Sequence, residues 1–146
     1  MEYRLERFVQ AQENSWETAL AEIRRGKKNS HWMWYIFPQI CGLGQSCESV
    51  TYAITGLEEA RAYLAHPLLG SRLREITAVL LEQTGTARQI FDDPDDRKLR
   101  SSMTLFHRAA PEEPLFRQAL DRFFHGMEDP LTLGILAQQA AGRNRG

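Results

Sequence analysis

The sequence predicts an all-α fold, a single irregular multi-helix domain of about eight helices. Apolar residues recur at helical spacing along most of the 146 residues. Capping residues precede several of these runs, and glycine or proline follows them. Alternating runs joined by hairpin turns, which would indicate strands, are not found. We assign residues 1–140 to one helical domain and residues 141–146 to a frayed C-terminal tail.

Two amphipathic helices are predicted near the start of the chain. The first follows the apolar positions of LERFVQAQ, and the second those of SWETALAEIRR. Asn14 and Glu17 have the spacing of a capping box at the start of the second helix, and Gly26 is its stop signal. The basic run that precedes and follows Gly26 is interpreted as favourable for the helix dipole and not as a binding patch.

Two further helices are predicted around Pro67, which ends LEEARAYLAH and begins PLLGSRLREITAVLLEQTG. Thr55 and Glu58 repeat the capping signal before the first of them. The preceding segment, SVTYAIT, is ambiguous. Ser46 as an N-cap favours a helix, whereas the β-branched residues favour a strand, and we interpret the segment as a helix.

The second half of the chain repeats Asp-Pro helix starts. After a short helix at TARQIF, Asp93 is predicted as the N-cap and Pro94 as the first helical residue of a long helix,. Asp95 and Asp96 then lie near the positive end of its dipole. EPLFRQALDRFFHG continues the helical pattern, and Asp129-Pro130 begins the last helix.

The stretch SHWMWYIFPQ, residues 30–39, is apolar on every face whether it is read as a helix or as a strand,. It must therefore be surrounded by protein or covered in part by a ligand. Its polar groups need partners if they are buried. Apolar walls with a few convergent polar groups are typical of small-molecule pockets. We therefore select His31, Trp32, Trp34 and Gln39 as candidate site residues, with a purely structural core segment as the alternative.

Two other segments contribute candidates. Gly42, Gly44 and Ser46 form a Gly-x-Gly-x-Ser turn that could present backbone N–H groups to an anion, although an ordinary loop with a helix cap has the same pattern,. In RKLRSSMTLFH, basic and hydroxyl side chains crowd a single helix, and we select Lys98 and Ser102 from it. Serine pairs in mid-helix are not favoured by propensity. Close helix packing is the alternative explanation for the serines.

Composition excludes several classes of protein. The formal net charge of −1 and the sequence pI of about 6.4 lack the basic footprint of a nucleic-acid binder,. No signal peptide or membrane-spanning run is visible, so we expect a cytoplasmic protein. Cys41 and Cys47 are expected to be free thiols. The spacing of histidines and cysteines predicts no metal site, and we expect no cofactor.

Several of these blocks, chiefly KNSHWMWYIFPQICGLGQS and IFDDPDDRKLRSSMTLF, together resemble a bacterial family of unknown function, DUF1810. The resemblance extends from about Leu5 to Leu136 and implies a single, mainly helical cytosolic domain with no established activity. Some members carry the label "calpastatin". That label does not suit this chain, because such an inhibitor is a long disordered polymer and this sequence is short and rich in aromatic residues.

The hypothesis that follows is a pocket for a small anionic or nucleotide-like ligand. Trp32, Trp34, Phe37 and Tyr52 would form its walls. Its polar contacts would be His31, Gln39, Ser46, Lys98 and Ser102, and the turn from Gly42 to Ser46 would receive an anionic group. If chemistry occurs, His31 is the candidate acid or base, because only histidine titrates near neutrality unperturbed. Hydrolysis of an NAD- or ADP-ribose-like ligand is the most specific version. A peptide- or protein-binding module and a scaffold with a structural aromatic core are the alternatives, and the oligomeric state stays open.

Overall fold

The computed structural model describes residues 3–43 and 51–145, and its regular secondary structure in these ranges is helical. In chain order they are α1 (Glu6–Gln12), α2 (Trp16–Arg24), α3 (Met33–Ile36), α4 (Leu57–Ala65), α5 (Leu69–Leu81), α6 (Ala87–Phe91), α7 (Asp95–Ala109), α8 (Pro114–Phe124) and α9 (Pro130–Arg145). These nine helices, in the described ranges, confirm the predicted all-α class. The last helix continues to Arg145, into the segment for which the sequence predicts a frayed tail.

Helix α7 is the central element of the fold. Every residue from Ser101 to Phe106 is buried, although an amphipathic helix at a surface would expose one face,. The reason is that α7 packs against α4, α6, α8 and α9 on different sides. Around it, α5 packs against α2, α4 and α8, and α1 packs against α3.

The polar residues of α7 are paired where they meet α9. The Ser101 hydroxyl donates to Asp129 Oδ2 at 2.8 Å, and the Thr104 hydroxyl accepts from the Asp129 backbone N–H at 2.9 Å. Asp129 also accepts from the Thr132 backbone N–H, which is the bond of a helix N-cap,. One carboxylate therefore begins α9, as the sequence predicts, and attaches that helix to α7.

Several predicted helix starts differ from the structure. Helix α7 begins at Asp95, one residue later than predicted, and Asp93 forms an ion pair with Arg97 at 2.9 Å in place of the predicted cap. Helix α2 begins at Trp16, and Ser15 precedes it without a side-chain cap bond. The capping box predicted from Asn14 is therefore wrong.

Helix α4 begins later than its predicted capping signal at Thr55, because the Thr55 side chain is used elsewhere. The Thr55 hydroxyl donates to Glu59 Oε1 at 3.0 Å, and α4 begins two residues later, at Leu57. Glu59 is nearly fully buried, and Arg7 pairs with its other oxygen at 3.1 Å. The buried carboxylate therefore takes the hydroxyl that the sequence assigns to a cap. A complete capping box occurs before α6, from Thr86 to Gln89.

The structure describes the segment SVTYAIT from residue 51 onwards, and its first two residues, together with Ser46, lie outside the described ranges. Ile54 forms an isolated parallel bridge with Ile40, with backbone bonds to Gln39 O and from Cys41 N–H. The helix prediction is thus wrong at Ile54, where the β-branched signal prevails. Over residues 3–43 and 51–145, no helix combines the length and the apolar character that crossing a bilayer requires.

Candidate functional site

A tryptophan and a lysine from distant parts of the sequence meet at the start of the central helix. Trp34 lies on the short helix α3 and is half-buried. The ammonium nitrogen of Lys98, in the first turn of α7, lies 4.1 Å from the centroid of the Trp34 ring. This is the geometry of a cation–π contact. The structure therefore brings together two of the residues that the sequence selects as candidates.

Asp95 links this pair to a second lysine. Its Oδ1 lies 3.2 Å from Lys98 Nζ, and its Oδ2 lies 2.8 Å from Lys28 Nζ. The three side chains are mostly shielded from solvent, with 7% of Lys28, 18% of Asp95 and 23% of Lys98 exposed. We call Lys28, Trp34, Asp95 and Lys98 the lysine–tryptophan cluster. It carries two positive charges and one negative charge, a balance that favours an anion.

Hydrogen bonds to the Glu22 carboxylate fix the conformation of the loop before α3. The carboxylate of Glu22 accepts hydrogen bonds from the backbone N–H groups of Asn29 and Ser30, from the Ser30 hydroxyl and from the Trp32 indole N–H. Burial acts to raise the pKa of Glu22, but these donors together lower the pKa to about 2,. The ionised carboxylate therefore fixes the segment that positions Lys28 and α3.

Trp32 is a core residue. Only 1% of it is exposed, its indole N–H is bonded to Glu22 at 2.9 Å, and its ring packs near Phe37 and Phe91. Phe37 is fully buried as well. The structure does not bring these two predicted pocket walls to the surface, and of the two tryptophans in the stretch only Trp34 is partly accessible.

Ser102 lies one helical turn after Lys98 on the same face of α7,. It is fully buried, and its hydroxyl oxygen has no hydrogen-bond partner among the described residues. Its neighbour Ser101 differs, because Asp129 accepts a bond from that hydroxyl. A buried hydroxyl without a partner is unusual, because leaving one costs about 1–3 kcal/mol.

The remaining candidates are spread over the surface near α3. His31 is exposed, and its backbone carbonyl accepts a bond from the Tyr35 hydroxyl at 3.2 Å. Gln39 is half-buried. Tyr52 packs edge-on against the Tyr35 ring at 5.4 Å and near Phe8, on the side of α1. Tyr52 therefore packs between the Phe8 ring of α1 and the Tyr35 ring of α3.

The predicted glycine turn is described only in part. Gly42 is exposed and has a φ of 107°, a conformation that favours glycine,. A Cβ at this position would lie 3.3 Å from the Ile135 side chain of α9. Gly44 and Ser46 lie outside the described residues, so the anion-binding role of the turn stays a prediction.

Lys28 and Asp95 are cluster members that the sequence does not single out as site residues. The sequence assigns Lys28 to a basic run at a helix end and Asp95 to the positive end of a helix dipole. The spacing of Asp95 and Lys98, three residues apart on one helix, is a local signal for their pairing. Lys28 has no such signal, because its partner is distant in the sequence.

Within residues 3–43 and 51–145, no three histidine, cysteine, aspartate or glutamate side chains form a group that could hold a metal ion. Cys41 is an exposed free thiol, as expected from the sequence, and Cys47 lies outside the described residues. At the lysine–tryptophan cluster, the groups available for recognition are the Lys98 ammonium and the Trp34 ring.

These features define a helical protein with a cationic aromatic cluster at the start of its central helix. The model of a family described as protein of unknown function (DUF1810) matches residues 2–136, so the chain belongs to that family. It is similar to the crystal structure of the conserved hypothetical protein Rv1873 from Mycobacterium tuberculosis, with 47% sequence identity and a TM-score of 0.89. That match covers 91% of this chain and 96% of the other. No curated protein matches the chain.

Proposed function

We propose that the protein binds a small anionic, nucleotide-like ligand at the lysine–tryptophan cluster. The observation that carries this proposal is the position of the Lys98 ammonium, 4.1 Å from the centroid of the half-buried Trp34 ring. A fixed cation beside an accessible aromatic surface suits a molecule that has both a planar ring and a negative charge.

The charge of the cluster supports an anion as the ligand. Asp95 is shared by Lys28 and Lys98, so one positive charge remains uncompensated within the cluster. Lys28 is further held by the Ser30 carbonyl, to which it donates at 2.6 Å. Lys98 has fewer partners and is the more exposed lysine, so it is the group that we expect to contact the anion.

The aromatic ring supports a planar group as the other part of the ligand. Lys98 lies over the Trp34 ring, and the exposed part of the ring leaves room for a second contact. Stacking of a nucleobase on an aromatic side chain contributes about 1–3 kcal/mol. The contact tolerates different bases, because every base has a π-face.

Ser102 adds a hydroxyl on the same face of α7. Because this hydroxyl has no partner within the described ranges, a ligand or an ordered water that reached it would remove a cost of burial,. The role of His31 as an acid or base remains a hypothesis. Its exposure leaves it free to meet a bound molecule.

The test is a thermal-shift screen with AMP, ADP, NAD, ADP-ribose and inorganic phosphate. We expect at least one nucleotide to raise the melting temperature, because a ligand at 100 times its Kd adds about 2.7 kcal/mol to stability. Trp34→Ala and Lys98→Gln should each weaken binding at least about tenfold by calorimetry.

Arg117→Gln is the matched control, because Arg117 is likewise a helical cation paired with a carboxylate of its own helix, Asp121 on α8. It should bind the nucleotide as the wild type does. The proposal fails if no nucleotide shifts the wild type, or if Arg117→Gln weakens binding as much as Lys98→Gln does. Product analysis of wild type and His31→Ala with the ligand that binds separates catalysis from binding alone.

A further inference from the structure

A cleft, which we call the Arg61 cleft, lies at the opposite end of the central helix from the lysine–tryptophan cluster. It has a volume of about 480 Å³ and lies where the end of α4, the end of α7 and the loop before α8 meet. Its apolar surface comes from Leu64, Ala65, Ala109, Ala110 and Pro111. Lys98 and Ala109 are separated by about 16 Å along α7, at 1.5 Å per residue, so this cleft is distinct from the lysine–tryptophan cluster,.

Arg61 is the donor group that this cleft presents. Its Nε donates to the Ala109 carbonyl oxygen at 3.0 Å, a contact that anchors the guanidinium against the end of α7. Its two terminal amino groups have no hydrogen-bond or ion-pair partner among the described residues. An anchored guanidinium with free amino groups is suited to a carboxylate, which it can bind through two parallel hydrogen bonds.

The other arginine of the cleft is already occupied. Arg74 donates to both oxygens of Glu113, at 2.8 and 2.9 Å, and its third nitrogen donates to the Leu64 carbonyl oxygen at 3.1 Å. This pair forms a fixed wall between α5 and the start of α8. It leaves Arg61 as the group that is free to bind.

The charge of the lining limits the kind of anion that fits. Arg61 and Arg74 balance Glu112 and Glu113, so the four charged residues of the cleft sum to zero. A dianion such as phosphate would meet two carboxylates without a surplus of positive charge. A monoanion needs only Arg61, and its apolar body can contact the alanines and the proline.

From these contacts we propose that this cleft is a second binding site, which takes a small monocarboxylate with an apolar body. Arg61 binds the carboxylate through its terminal amino groups. The apolar side chains at the ends of α4 and α7 contact the rest of the ligand. The volume falls within the range of about 300–1,000 Å³ that is usual for small-molecule sites.

The experiment is a titration of ¹⁵N-labelled full-length protein with sodium benzoate, followed by two-dimensional NMR. We expect saturable shifts of the amide signals of Ala109, Ala110 and Glu113. Benzamide, which has the same shape and no charge, and inorganic phosphate should leave those signals in place. Arg61→Gln should weaken benzoate binding about tenfold or more.

Arg122→Gln is the matched control, because Arg122 also donates to backbone carbonyls, those of Gln83 and Gly85, but near the other end of α8. It should bind benzoate as the wild type does. Arg61→Lys keeps the charge without the planar fork, and it should bind more weakly than the wild type while melting at a similar temperature.

The inference is overturned if benzamide produces the same shifts as benzoate, or if phosphate binds as well as benzoate does. It is also overturned if both Arg61 variants bind benzoate as the wild type does. Should Arg61→Gln not fold, undiminished binding by Arg61→Lys decides against the site, because the bidentate contact is then not needed.

Discussion

Glu22 is the residue on which the geometry of the aromatic segment depends. It is 2% exposed, and its four hydrogen bonds reach from Asn29 to Trp32. Hydrogen bonds to a charged group contribute about 1.5–3 kcal/mol each, which exceeds the value for neutral pairs. The ionised state of this one side chain therefore affects both stability and the placement of Lys28.

The first residue-scale prediction concerns acid stability. The pKa of Glu22 is lowered from 4.5 to about 2 in the folded protein, so its contribution is complete above pH 4.5 and is lost as the pH falls towards 2,. We expect Glu22→Gln to lower the free energy of unfolding by roughly 2–3 kcal/mol at neutral pH. Urea denaturation at a series of pH values measures both effects.

Glu17→Gln is the control, because Glu17 is an exposed carboxylate on the same helix. It should leave stability nearly unchanged at every pH. The difference between wild type and Glu22→Gln should shrink as the pH falls below 4.5. A difference that stays constant down to pH 2 would show that the charge of Glu22 does not matter.

The second residue-scale prediction compares two neighbouring serines. Ser102→Ala removes a buried hydroxyl without a partner in the described structure, so it should keep or raise the free energy of unfolding, by up to about 1 kcal/mol,. Ser101→Ala removes the donor to Asp129 and should lower it by about 1 kcal/mol,. Chemical denaturation of the two variants, side by side, makes the measurement. Equal destabilisation would mean that the Ser102 hydroxyl has a partner in solution.

At the scale of elements, the approach of α5 to the end of α4 depends on a glycine. A Cβ at Gly70 would clash with the backbone carbonyl of Leu64 and would lie 2.9 Å from Arg74 Nη1. The Leu64 carbonyl is part of the backbone, so it cannot move aside as the end of a flexible side chain could. The same carbonyl accepts a bond from Arg74, so the close approach also orders one wall of the Arg61 cleft.

The element-scale prediction follows from this contact. Gly70→Ala should lower the free energy of unfolding by about 2 kcal/mol or more, because the helices must separate. Gly134→Ala on α9 is the matched control: a Cβ there meets nothing within 4 Å, and the change should stabilise by up to about 1 kcal/mol through helix propensity,. Thermal denaturation of both variants provides the comparison. A mild effect at Gly70 would show that the two helices can move apart at little cost.

Helix boundaries show how tertiary contacts displace local signals. Thr86 and Gln89 form the capping box that their spacing allows, with the Thr86 hydroxyl accepting from the Gln89 backbone N–H. Thr55 has a similar sequence context and donates instead to Glu59, which is buried and paired with Arg7. A capping signal therefore predicts a helix nearby more reliably than it predicts the first helical residue.

At the scale of the whole molecule, α7 connects the two proposed sites. Its first turn carries Asp95 and Lys98 of the lysine–tryptophan cluster, and its last residue, Ala109, forms part of the Arg61 cleft. The middle of the helix is fully buried and packed by four other helices. A helix held in this way keeps both of its ends at fixed positions, which suits sites that need preset geometry.

The sequence by itself determined the helical class and the approximate positions of most helices, because the period of apolar residues is a local property. It also predicted that the segment of residues 30–39 is surrounded by protein or covered in part by a ligand, since that segment has no polar face. Lys98 and Trp34 were both selected from the sequence as candidates.

Only the tertiary structure decided which of those candidates meet. Burial separated Trp32, bonded to Glu22 in the core, from the partly accessible Trp34. The pairing of Lys28 with Asp95 joins two segments far apart in the chain, and no local pattern encodes such a contact. The free amino groups of Arg61 likewise became visible only when α4 and α7 were packed together. Helix formation follows from near neighbours in the sequence, whereas a binding site requires side chains from distant segments at fixed distances.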